Sequence, residues 1–160
     1  MRLRLAGNES FGGGENIMPG DLIRPDDLKR ITEEIEMAKA REALDKKRKI
    51  EQEREAFHET FMSREIQPEA FERLSRLVKG AAERGEREVL ALRFPSAYCT
   101  DGGRAINSFE PDWPQTLTGF AKKGHEFYEK ELAPLGYKVR AQILDFPGGM
   151  PGDVGIFLRW

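Results

Sequence analysis

The stretch Cys99-Thr100-Asp101-Gly102-Gly103-Arg104 holds the chain's one thiol, a carboxylate, two backbone amides without side chains and a guanidinium. A set of that kind can bind an anion: glycine amides approach an oxyanion closely, arginine grips it with two donors, and a thiolate beside it can attack. Asn107 adds a further polar side chain. A second glycine-bearing loop supplies Asp145, Gly148, Gly149 and Asp153. These eleven residues, Cys99, Thr100, Asp101, Gly102, Gly103, Arg104, Asn107, Asp145, Gly148, Gly149 and Asp153, form the candidate ligand-binding set. No catalytic residue, metal ligand or cofactor is assigned. Turn chemistry explains the same residues without a ligand, since Asp-Gly-Gly and Pro147-Gly148-Gly149 are turn formers and Arg104 has Asp101 and Glu110 as charge partners.

In residue types, the 99–104 stretch resembles the phosphate-binding loop of the protein tyrosine phosphatases. The likeness covers only those positions and departs from the pattern. That family keeps five residues between Cys and Arg and usually a Ser or Thr after the Arg, whereas here four intervene and Ala105 follows. Asp101 also puts a negative charge where a dianion would sit. The family is therefore set aside, and Cys99 is read as a small semi-buried residue.

Other chemistry is less supported. His58 falls in a charged helical stretch and His125 beside an apolar stripe, both ordinary places for a structural histidine. Gly12-Gly13-Gly14 and Gly102-Gly103 lack the strand-helix setting and the lysine of a nucleotide loop. Asp101, Glu110 and Asp112 match no calcium or magnesium spacing.

Composition narrows the classes further. Of 160 residues, 39% are hydrophobic and 34% charged, with a net charge of −2. Residues 67–160 carry thirteen Lys or Arg against thirteen Asp or Glu, and residues 26–66 carry ten against twelve, so neither part has the positive balance of a phosphate-backbone binder. One cysteine makes no internal disulfide, and with two histidines it makes a structural zinc site improbable. No apolar run approaches the ~20 residues that span a bilayer, and the first residues lack the apolar centre of a secretion signal. The expected partners thus include neither nucleic acid nor membrane, and the expected compartment is the cytoplasm.

Three segments position the candidate residues. Residues 1–25, with Gly12-Gly13-Gly14, Pro19-Gly20 and Pro25, are predicted to be unstructured, and Met18 is an alternative translation start. Residues 26–66 contain neither glycine nor proline and predict one charged helix of roughly 60 Å. Leu28, Ile31, Ile35 and Ala38 follow heptad spacing, and Ala43, Ile50 and Phe57 recur at seven, with Phe61 a turn further. The middle of the stretch lacks a second apolar seam position, so the segment reads as a helical arm or loose coiled coil that pairs with itself or with a partner. Glu42 with Lys46 and Asp45 with Lys49 are favourable pairs on its surface.

Residues 67–160 predict an α+β domain in the order helix, strand, helix, strand, strand. A helix begins near Pro68 and stops at Gly85; a strand covers residues 87–94. A helix from about Trp113 to Leu132 is expected to be capped by Asp112 and Gln115, with Gly124 allowing close backbone approach. Residues 137–143 and 154–160 give two more strands. The fold class is α+β: a small three-stranded mixed sheet with two helices packed on it, preceded by the long charged helix. A strand-helix-strand unit favours two strands pointing the same way, which brings the loops 96–108 and 145–153 to one edge. The expected function is a non-enzymatic protein-interaction module working through residues 26–66. The alternative is a small-molecule or anion-binding domain, or a weak hydrolase, working through the two glycine-rich loops.

Overall fold

The computed structural model describes residues 18–160. The chain divides into two compact units, Met1–Glu51 and Gln52–Trp160. Most of the stretch expected to be unstructured lies outside the described residues. Its described end forms a single 3-10 turn, Pro19–Asp21, with the Met18 amide donating to the Asp21 carboxylate.

Helix α1 runs from Pro25 to Ser63, 39 residues or about 58 Å. Pro25 suits a first turn, where its missing N–H has no partner to lose, and Asp26 and Asp27 meet the positive end of the helix dipole. In the first unit its side chains are exposed, Asp27 alone being half-buried. Of the two expected surface pairs, Glu42 and Lys46 meet at 3.1 Å.

The second unit contains residues 52–63 of α1, then α2 (Ala70–Glu83), β1 (Glu88–Pro95), the one-turn α3 (Arg104–Asn107), α4 (Gly119–Phe127), β2 (Lys138–Ile143) and β3 (Asp153–Arg159). The architecture is α+β. Helix α2 ends as the glycine predicts: Gly85 adopts φ +80°, its amide donates to Ala82 and that of Glu86 to Ala81, closing the last carbonyls.

The strand order is β1-β3-β2, and β3 is antiparallel to both neighbours. Strands β1 and β2 therefore do point the same way, but the sheet is antiparallel rather than mixed. The short connection between β2 and β3 forces an antiparallel hairpin, and β3 then occupies the place beside β1 that a parallel β2 would have taken. Register puts Val89, Leu92 and Phe94 of β1, Val139, Ala141 and Ile143 of β2, and Val154, Ile156 and Leu158 of β3 on one face. A bulge at Ala91 keeps that alternation in phase. The core gathers there: Phe94, Ile143, Val154 and Ile156 pack with Phe61, Cys99, Ile106, Leu117 and Ala121.

The helix expected from Trp113 is broken. A 3-10 turn (Trp113–Thr116) gives way to extended backbone at Leu117 and Thr118, and α4 begins only at Gly119, running on through a π turn (Tyr128–Leu132). Asp112 makes no side-chain cap. Tertiary packing overrides the local signal. Leu117 is buried in the core, the Thr118 hydroxyl donates to the Tyr98 carbonyl, and Gly119 at φ +53° passes the end of α1 so closely that a Cβ would lie 2.9 Å from Met62 Cα.

Candidate functional site

Because β1 and β2 share a direction, the loops that leave them emerge at one edge, on either side of the start of β3. Hydrogen bonds join the two loops. The Ser96 amide donates to the Gly152 carbonyl at 2.9 Å and the Ser96 hydroxyl to that of Pro151 at 2.9 Å. Gly103, at φ +85°, is buried so tightly that a Cβ would lie 3.0 Å from Ser96 Cβ and 3.3 Å from Ile143 Cδ1.

The candidate residues at this edge are occupied in holding it. Asp101 accepts from the amides of Gly103 at 2.9 Å and Ala105 at 2.8 Å, one per carboxylate oxygen. Burial alone would raise its pKa, but those amides and Arg104 hold it below the ordinary carboxylate range. Arg104 is paired with Glu110 at 2.9 Å. Asp145 accepts from the Asp153 amide at 2.6 Å, and Asp153 in turn pairs with Arg93 at 2.7 Å. Gly148 and Gly149, both with positive φ, shape an exposed turn. Thr100, Gly102 and Asn107 are exposed.

Cys99 lies in the core at 5% exposure, and burial pushes its thiol up to about 11 against the opposing pull of Thr116. A thiol so disposed is protonated at neutral pH and shielded, the reverse of a nucleophile's environment. The His58 ring lies tilted against that of Tyr98, centroids 4.6 Å apart. His125 packs edge-on to Trp113 and lies 3.8 Å from Glu129. Among the described residues no three His, Cys, Asp or Glu side chains gather as a metal site would require.

A cavity of about 360 Å³ lies elsewhere in this unit, on the helical face of the sheet between α2 and α4. Leu74, Leu77, Phe120, Leu132, Val139 and Ile156 are among the apolar side chains lining it, with Arg64 and Arg73 also on its wall. Gly124 opens into this space: the close backbone approach expected there does not occur, since a Cβ would meet nothing within 4 Å. The signal for the cavity was present as a glycine on the apolar stripe of α4. What sequence could not supply was the distance of α2 from that stripe.

The first unit presents its own feature. Leu28, Ile31, Ile35 and Ile50 are 45–50% exposed, and helical spacing places them within one face of α1. No helix among the described residues is long and apolar enough to cross a membrane. No family model matches the chain, and no curated protein or solved structure matches it.

Proposed function

We propose that this chain is a non-enzymatic interaction module whose helical segment in residues 26–51 pairs with another helix, from a second copy or a partner. The observation that supports the reading is the row Leu28, Ile31, Ile35 and Ile50, branched and apolar, each about half in water on a helix with no glycine or proline after its first residue. Each such side chain has about 1 kcal/mol of transfer free energy still to gain on burial. Pairing is the ordinary way for a solvated helix to recover it. The sparse middle of the row suits a reversible association.

Sedimentation of the full chain tests this. The parent sediments as an oligomer at micromolar concentration, and Ile31→Glu with Ile35→Glu, both exposed in the monomer, yields a monomer of unchanged helix content. A parent that is monomeric, or an oligomer indifferent to the two glutamates, refutes the reading.

The cavity between α2 and α4 favours a second reading, a domain that binds a small molecule with an apolar body and an acidic head near Arg64 and Arg73. Gly124→Leu fills the space and abolishes any thermal stabilisation by medium-chain carboxylates. If none of those compounds raises the melting temperature of the parent, this reading fails.

A further inference from the structure

Two arginines of the second unit lie over aromatic rings, and only one of them has its donors spent. Arg140 sits 4.1 Å from the centre of the Phe157 ring and grips Glu88 through two nitrogens, at 2.9 and 2.6 Å. Arg64 sits 4.4 Å from the centre of the Phe120 ring. The acid next to it, Glu65, is taken by Lys123 at 2.6 Å, and no carboxylate among the described residues pairs with the Arg64 guanidinium. Stacking uses the face of a guanidinium and leaves its in-plane N–H groups, the edge by which arginine takes a carboxylate.

Arg64 is also fixed through its backbone. Its amide donates to the Thr60 carbonyl at 2.9 Å, closing the last turn of α1, and its own carbonyl accepts from Lys123 at 3.0 Å. So anchored, it stands at the rim of the cavity between α2 and α4, whose wall Phe120 shares. The other charged groups on that wall are Glu65, Arg73 and His125. Glu65 is spent on Lys123, His125 Nδ1 lies 3.8 Å from Glu129, and Arg73 is an exposed side chain of α2 with no aromatic ring or acid to hold it among the described residues. Arg64 is therefore the cation whose position is set before any ligand arrives.

The interior suits hydrocarbon. Leu74, Leu77, Leu132, Val139 and Leu158 line it, and the Tyr128 hydroxyl is already donated to the Tyr137 carbonyl at 2.9 Å. Among the described residues no buried side-chain nitrogen or oxygen lacks a partner, so none is left inside for a polar ligand atom. Two departures from regular helix also fall on this wall: Gly124, and the π turn that holds Tyr128 and Leu132. Each weakens α4, and π turns gather at functional sites.

We propose that the cavity takes an aliphatic carboxylate of single-chain size, its two oxygens held by Arg64 as Glu88 is held by Arg140 and its chain laid among the leucines. This rests on the reading of the cavity as a ligand site and adds the residue that recognises the head and the chemistry of both ends. A volume of about 360 Å³ is near the small end of ligand pockets, roughly 300–1,000 Å³, which favours one chain over a fused-ring body. One fixed guanidinium balances one negative charge. A carboxylate brings that charge, whereas a phosphate monoester at about −2 exceeds it.

Calorimetric titration of the full chain near neutral pH with octanoate and with 1-octanol, alike in chain and different in head, reads the assignment. The parent binds octanoate about tenfold or more tighter than octanol, as a charge-assisted bidentate contact implies. Arg64→Gln lowers octanoate to the affinity of octanol and leaves octanol within about twofold of parent. Arg64→Lys keeps the charge without the fork and recovers only part of the preference, and Arg73→Gln retains all of it. A parent that binds both alike, a preference that survives Arg64→Gln, or one lost in Arg73→Gln overturns the assignment of the head to Arg64 while leaving the cavity a ligand site. A parent that binds neither compound refutes the reading of the cavity itself.

Discussion

Phe61 and Ile35 sit on the same helix and belong to the same apolar pattern, yet Phe61 is 6% exposed and Ile35 is 50% exposed. Phe61 packs 5.4 Å from the ring of Phe94 and 5.0 Å from that of Tyr98, and Arg64 just beyond lies over Phe120. Ile35 leaves half of its surface to solvent. Periodicity thus reports which side of a helix is apolar, but not whether the protein has already used that side. Where it has, an apolar side chain is part of the fold. Where it has not, the same spacing is an offer to another molecule.

The sharpest way to test this contrast is to truncate both residues. Phe61→Ala removes a buried ring from the core and costs ~3–5 kcal/mol of unfolding free energy, whereas Ile35→Ala in dilute protein stays within about 0.5 kcal/mol of parent. Chemical denaturation followed by tryptophan fluorescence measures both, and equal losses would erase the distinction.

Cys99 extends the contrast to pH. Its thiol ionises at an ordinary 9.0 in an unfolded chain and at about 11 in the fold. The folded state keeps a proton that the unfolded state releases, so stability falls as pH rises from about 9 towards 11, by roughly 2–3 kcal/mol in all. Burial also raises the Tyr98 phenol, which adds to the fall above about pH 10; Cys99→Ala therefore flattens the slope between about pH 9 and 10, and an unchanged slope there would show that the buried thiol is not its source. At pH 8 a thiol reagent labels the native protein only as fast as it unfolds.

Gly119 and Gly124 refine the comparison within α4. Gly119 combines positive φ with backbone contact to the end of α1, and Gly119→Ala costs about 1–3 kcal/mol by denaturation. Gly124 has helical backbone and open space, so Gly124→Ala stabilises by about 0.4–1 kcal/mol. A destabilised Gly124→Ala would mean that the α2–α4 space is filled.

Much of this was legible in the sequence because local rules were obeyed. The absence of glycine and proline marked α1, Gly85 marked the end of α2, and alternation marked β2. The failures came where distant residues decide. Asp112, Pro114 and Gln115 carry a good helix-start signal, but burying Leu117 and passing Gly119 beside Met62 required the chain to bend first. The sheet order was missed because alternation identifies a strand's wet face and not its neighbour. At the loop edge the direction of β1 and β2 was readable, and so was their meeting. Which polar groups would be consumed there was not, because Asp101 and Asp145 look the same in sequence whether their oxygens face a ligand or the amides of Gly103, Ala105 and Asp153.

The central position of β3 also has a consequence for how the molecule comes into being. The backbones of β1 and β2 pair with residues 153–159 and not with each other; the link between the two strands is a side-chain one, Arg140 of β2 reaching across to Glu88 of β1 at 2.6 Å. On the ribosome, β1 is therefore made long before its ladder partner leaves the exit tunnel, and the sheet closes in a late step once both flanking strands are already waiting.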